Sequence, residues 1–184
     1  MKKFEHPIQL ETPRLIIRPW KMSDLEPFAQ LNADSDVMRY FPAPLTKVES
    51  NALAERIQSF ISIYGWGFWA VELKQNQKFI GFTGLLYQPE QFDFSPCTEI
   101  GWRLAKEYWH KGYATEAAKA CLDFAFQRLE INEVIAITAT TNRPSEQVMQ
   151  RLGMCYVKNF IHPKLDPHHP LTEHLLYRIS VSDV

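Results

Sequence analysis

The chain has 184 residues, 46% hydrophobic and 22% charged, which is enough to enclose a core as one domain over residues 1–184. Twenty basic and 21 acidic residues leave a formal net charge of -1, so a broad polyanion-binding surface is excluded and nucleic acid is not an expected partner. No apolar run approaches the roughly twenty residues needed to cross a bilayer, and no apolar stretch follows Met1-Lys2-Lys3, so neither a membrane partner nor a signal peptide is expected.

In chain order, Ile8 to Trp20 reads as a strand whose beginning is marked by Thr12-Pro13. Ser23 or Asp24 then caps a short helix to about Asn32 with Leu25, Phe28 and Leu31 facing inward. Asp34 to Tyr40 reads as a further helical turn, ended by Phe41-Pro42-Ala43-Pro44. Thr46, with Glu49 in capping-box position, opens a helix with a Val48, Leu53, Ile57, Phe60, Ile61 stripe that ends near Gly65. Gly67–Leu73 and Phe79–Tyr87 form a hairpin across Lys74-Gln75-Asn76-Gln77, and residues 89–96 form a loop.

The stretch from Thr98 to Phe126 organises the rest. Ile100, Trp102 and Leu104 alternate with Glu99, Gly101 and Arg103, the period of a strand. The turn His110-Lys111-Gly112-Tyr113-Ala114-Thr115 follows, and then a helix with Ala114, Ala117, Ala118, Cys121, Leu122, Ala125 and Phe126 on one stripe. Strand, glycine turn and helix make an anion seat, because a helix's first N–H groups are unpaired and positively polarised and glycine admits a phosphate close to the backbone. The turn is neither GxxxxGK[ST] nor GxGxxG. Glu133–Thr140 is a strand, Asn142 opens a short helix with Pro144 in its first turn, and Gly153 ends it. Tyr156–Ile161 and His174–Val181 are the last strands, separated by the loop from Pro163 to Pro170.

The residues W-H-K-G-Y-A-T-E-A after E-I-G-W-R-L resemble the acyl-CoA loop of GNAT-type N-acetyltransferases, in the branch containing the ribosomal-protein N-terminal acetyltransferases. That loop is usually (Q/R)-x-x-G-x-(G/A); Gly112 and Ala114 match it and Trp109 stands in its first position. The resemblance runs from about Leu10 to Ile179 and includes Glu11-Thr12-Pro13-Arg14-Leu15, Asn142, Ser145 and Leu152-Gly153-Met154. It implies an α/β fold with a mixed, mostly antiparallel seven-stranded sheet, a central splayed parallel pair and about four flanking helices. It further implies acetyl-CoA as co-substrate, with its pantetheine arm in the gap between the strands holding Glu99 and Val134.

By the same resemblance, His110, Lys111, Gly112, Tyr113, Ala114 and Thr115 cradle the pyrophosphate. The backbones of Trp102, Arg103 and Leu104, together with Asn142 and Ser145, hold the arm. An amine must be neutral to attack a thioester, yet at pH 7 only about a tenth of an α-amine and well under a thousandth of a lysine is neutral. Glu99 is therefore the candidate base, or alternatively an edge or salt-bridged glutamate. Ser145 is the candidate acid towards the thiolate, or a first-turn helix serine; Met149 stands where other members carry a tyrosine and cannot donate.

The expected function is acetyl transfer to a primary amine, either a protein N-terminus or a small amine, by direct attack in a ternary complex. The alternatives are a non-catalytic acyl-CoA sensor and an enzyme using a bulkier acyl-CoA. No metal is expected, because His162, His168, His169 and His174 lack metal-site spacing. Cys97, Cys121 and Cys155, without a CxxC, read as reduced packing residues of a cytoplasmic protein. The histidine-bearing loop, with Tyr40, Phe41, Trp66, Trp69 and Tyr87, is the candidate for shaping the acceptor pocket, several of these aromatics being core residues that the sequence does not sort out, and an exposed strand edge could pair two subunits as a homodimer.

Overall fold

Proline lacks an N–H and cannot continue a ladder, and in the computed structural model, which describes residues 1–183, Pro13 divides the first strand in two. β1 (Leu10–Glu11) and β2 (Leu15–Arg18) pair antiparallel across a turn closed by Thr12, whose N–H donates to the Leu15 carbonyl at 3.0 Å and whose Oγ1 accepts from the Leu15 N–H at 3.0 Å. The sheet therefore has eight strands rather than seven. The remaining strands are β3 (Phe68–Leu73), β4 (Phe79–Gln88), β5 (Cys97–Leu104), β6 (Glu133–Ala139), β7 (Cys155–Ile161) and β8 (Glu173–Ser180). Their order is β1-β2-β3-β4-β5-β6-β8-β7, antiparallel everywhere except between β5 and β6.

Four helices flank it: α1 (Leu25–Ala33), α2 (Lys47–Tyr64), α3 (Tyr113–Gln127) and α4 (Arg143–Arg151). Alternation along each strand assigns side chains to two layers. Trp69 sets its ring edge-on against Phe124 of α3 at 5.4 Å, and the small residues Ala117, Ala118, Cys121 and Ala125 let α3 lie close to the strands. On the other face, Phe28 of α1 meets Phe82 edge-on at 5.9 Å and Trp20 at 4.8 Å.

Two local expectations change. Asp24 does not cap α1: its carboxylate accepts from the Lys21 N–H and from Arg18, whose guanidinium also reaches Glu72, all three side chains being buried. Val48 is 78% exposed, because the inward face of α2 is Ser50, Ala54, Ile57 and Ile61. Asp34–Tyr40 makes the expected helical turn, the Met38 N–H donating to the Asp34 carbonyl at 2.9 Å. The Thr46–Glu49 capping box is present, and α2 stops at Gly65 with φ +78°.

The parallel pair is the unusual part of the sheet. β5 and β6 share a single bridge, Glu99 opposite Ile135, after which they part.

Replacing Arg18 by alanine leaves buried Asp24 without its cation and Glu72 with Lys21 alone, and its expected effect is a loss of about 3–5 kcal/mol of folding stability. Urea unfolding midpoints measure it; a loss below about 1 kcal/mol would mean that the triad does not hold this edge together.

Candidate active site

Beyond the Glu99–Ile135 bridge, β5 pairs only with β4, through Gly81 opposite Leu104 to Leu85 opposite Ile100, and β6 pairs only with β8. The facing edges of β5 and β6 are thus backbone donors and acceptors lining a gap, ready to pair with an extended amide-bearing ligand as with another strand. At the top of the gap the chain leaves β5 through a 3-10 turn, Lys106–Tyr108. Trp109 ties the loop to the strand by donating Nε1–H to the Leu104 carbonyl at 2.8 Å.

His110 and Gly112 both take left-handed backbone angles, φ +58° and +78°, and α3 begins at Tyr113 with no side-chain cap. Thr46 caps α2 and Asn142 caps α4, whereas α3, like α1, has no side-chain cap. The N–H of Glu116 finds the Gly112 carbonyl at 3.0 Å, while Tyr113, Ala114 and Thr115 lie ahead of that first intrahelical bond. Their amides, at the helix's positive end, are suited to an anion. A side chain at Gly112 would carry a conformational cost and place its Cβ 3.4 Å from Arg14 Nη2. Lys111 is exposed at the rim, its ammonium 5.6 Å from the Tyr108 ring.

The residues that hold this loop in place were not identified from the sequence as a pair. Glu116 accepts from Thr12 Oγ1 at 2.6 Å, from the Arg14 N–H at 3.0 Å and from Arg14 Nε at 2.6 Å. Arg14 Nη1 donates to the Lys111 carbonyl at 2.9 Å, and its guanidinium stacks 4.5 Å from the Tyr113 ring centre. The N-terminal hairpin thereby clamps both sides of Gly112. The signal was the Glu11–Leu15 motif itself, but nothing in sequence spacing pairs Arg14 with Glu116.

Glu99 is partly buried on the α1 face of β5. Burial pushes its pKa above the usual carboxylate range, opposed by a 2.9 Å hydrogen bond from Gln88 Nε2 and by the nearby charge of Lys164. No ion pair engages it among the described residues. A carboxylate of raised pKa is a stronger proton acceptor once ionised. On β8 and the loop after β7, His174 and His162 lie 4.8 Å apart beside Phe92 and Phe160; burial depresses both, His162 to about 4, so that one stays neutral over the physiological range.

Asn142 accepts from the Ser145 N–H at 3.3 Å and donates to Thr138 Oγ1 at 2.9 Å, joining β6 to α4. Ser145 is partly buried in the first turn of α4, and Met149 is buried in the core. Leu104 is buried, while Trp102 and Arg103 are partly exposed. Among the aromatic candidates for the acceptor pocket, Trp66 and Trp69 are core residues, 1% and 0% exposed, and are withdrawn. Phe41 is exposed over Arg103, and Tyr87 helps to line a cleft of about 260 Å³ with Phe94, Pro96, Thr98, Ile131 and Glu133. That cleft sits at the starts of β5 and β6, away from the glycine loop. Cys121 is buried with its thiol pushed up to about 12 by burial, but Cys155 is exposed on the outermost strand and packs no core. No helix among the described residues is long and apolar enough to cross a membrane.

Residues 14–155 match the acetyltransferase (GNAT) domain family, and the chain belongs to it. Like the family, it is an acetyl-CoA-dependent acyltransferase. It is 33% identical to YkkB of Bacillus subtilis over 71% of this chain and 75% of that one. It is 30% identical to the FsC-acetyl coenzyme A-N(2)-transacetylase of Aspergillus fumigatus over 94% of this chain and 75% of the other. The crystal structure of a GNAT-family acetyltransferase from Bacillus anthracis superposes with a TM-score of 0.79 at 25% identity, covering 94% and 98% of the two chains.

Carbon-13 NMR of the Glu99 carboxyl should titrate with a midpoint above 4.5, and the Gln88→Ala variant should titrate higher still, because the lost hydrogen bond favoured the ionised form. A midpoint that falls in the variant would contradict the environment described for this carboxylate.

Proposed function

We propose that this chain moves an acetyl group from acetyl-CoA to a primary amine, the α-amine of a protein or a small amine, by direct attack in a ternary complex. The observation that carries the reading is the single-bridge β5–β6 pair with the uncapped end of α3 above it. In this reading the amides of Tyr113, Ala114 and Thr115, with His110, Lys111 and Gly112, hold the pyrophosphate. The backbone edge of Trp102, Arg103 and Leu104 pairs with the pantetheine amides, assisted by Asn142.

Glu99 takes a proton from the incoming ammonium, directly or through a water, so that the nitrogen lone pair attacks the thioester carbonyl carbon. A backbone N–H on the open edge of β5 stabilises the tetrahedral oxyanion. Collapse of that intermediate breaks the carbon–sulfur bond: Ser145 gives its hydroxyl proton to the departing thiolate, and the second proton of the attacking nitrogen returns to Ser145, directly or through water. The products are the N-acetyl amine and free CoA, with no covalent enzyme intermediate. The same loop and the Glu11–Leu15 motif support an acceptor of the kind taken by the ribosomal-protein branch, and β7, with Tyr156, Val157 and Ile161 exposed on an outer strand, is the edge through which two copies would pair.

Titration calorimetry with acetyl-CoA, followed by turnover across a panel of amines and free-α-amine peptides, tests the reading. Gly112→Ala should weaken acetyl-CoA binding about tenfold, the scale of 1.4 kcal/mol, and Glu99→Gln should lower kcat/KM by about 10²–10⁴. In the unmodified protein kcat/KM should fall on the acid side as Glu99 protonates, at a pH above that of an ordinary glutamate. If both variants bind and turn over normally, the loop and the base are misassigned. Binding without turnover of any amine favours the sensor, and turnover only with propionyl- or succinyl-CoA favours the bulkier donor.

A further inference from the structure

The α1 face of the sheet carries a buried arginine, Arg18, and a partly buried one, Arg103, and only the first is neutralised. Arg18 has Asp24 and Glu72 as ion-pair partners, at 2.7 Å each. Arg103, on β5, forms no ion pair among the described residues. Of the five N–H donors of a guanidinium, one is engaged, Nη1 to the Asn32 side-chain oxygen at 2.6 Å. Nε is buried without a hydrogen-bond partner.

The group is nevertheless held firmly. Asn32 is fully buried and anchored by donating to Ser50 Oγ at 2.8 Å, and the guanidinium lies 4.0 Å from the ring centre of Phe41 and 5.4 Å from that of Phe82. Phe41 belongs to the exposed segment between α1 and α2, so one side of the stack reaches solvent. A fixed, partly desolvated cation with spare donors and no countercharge is costly to the fold alone, and burial lowers its pKa to about 10. It is well suited to an anion from outside, since forked N–H donors match a carboxylate.

We propose that Arg103 is the anion subsite of the acceptor pocket, receiving a carboxylate carried by the acceptor molecule. The inference rests on the acetyl-transfer reading given above. Glu99, Gly101 and Arg103 share one face of β5, so an acceptor with its amine at Glu99 lies on the same side as the guanidinium. Four residues of strand place the two Cα atoms roughly 13 Å apart. Phe68, whose ring approaches the Gly101 position at 3.2 Å, forms the apolar floor between them. The acceptor so described is an amino carboxylate or short acidic peptide, with an extended apolar stretch between amine and acid. The phosphates of CoA are the competing source of anion, but their seat lies at the start of α3, which packs on the opposite face of the sheet.

The experiment compares kcat/KM for ω-amino carboxylates of increasing chain length with that for their methyl esters, in the unmodified protein and in Arg103→Met and Arg103→Lys. The expected result is a preference for the acid of about tenfold or more at one chain length, falling to about one in Arg103→Met and partly kept in Arg103→Lys. Because the readout is a ratio within each variant, a general loss of activity does not imitate it. In parallel, the ¹⁵N–¹H signal of Arg103 Nε should shift on titration with 6-aminohexanoate, whether or not turnover occurs. Acetylation of the esters with no preference for any acid overturns the subsite and leaves the acetyl-transfer reading standing. A rise in the acetyl-CoA KM of Arg103→Met with the acid preference intact assigns the guanidinium to a CoA phosphate and overturns it too. A shift of Nε without turnover of any amine keeps the subsite as an anion site and removes the transfer reading.

Discussion

Backbone N–H and C=O groups taken from water must find partners, and the centre of this sheet leaves some of them without one. β5 and β6 run parallel and meet once, at Glu99 and Ile135. Each strand is otherwise well anchored on its far side, β5 by a ladder of eight residue pairs to β4 and β6 by seven to β8. The separation is therefore rigid, imposed by two strong antiparallel ladders whose strands diverge. Everything distinctive about the site is placed by that divergence: the open strand edges below, the glycine loop above, and Glu99 at the point where the strands last touch.

The electrostatics follow the same geometry. The start of α3 lies above the gap with no side-chain cap on its first amides, in contrast to the Thr46 and Asn142 caps of α2 and α4. Glu99 is raised by burial and held in check by Gln88 and Lys164, so its carboxylate holds a proton more readily than an exposed one. On the same face, the Arg18 triad shows how the fold treats a buried charge that it keeps for itself: it surrounds it with carboxylates.

Much of this was legible in the sequence because it is local. The period of two from Glu99 to Leu104, the Thr46–Glu49 box and the Gly112 turn each depend on residues a few positions apart, and each lies where local rules place it. The expected GNAT-type fold was likewise recognisable, with one strand too few because the Thr12-Pro13 turn was read as the start of one strand rather than the join between two. What was not legible is long-range. Asp24 reads as a helix cap until Arg18 is seen beside it, Val48 reads as apolar lining until α2 is docked by Ser50 and Ala54, and Trp66 and Trp69 read as pocket residues until both faces of the sheet are covered. Periodicity ranks which side of an element is apolar; it does not say which apolar side chain a neighbouring element will cover.

The clamp formed by Arg14 and Glu116 joins segments 102 residues apart. It fastens the glycine loop to β2 and its hairpin at the margin of the sheet, where β1 is only two residues long. Marginal strands open more readily than central ones. Fraying at the amino-terminal border would thus free Lys111 and Tyr113 from their guanidinium support without melting the middle of the molecule, so the glycine loop inherits the breathing of the weakest strand rather than the permanence of the strongest.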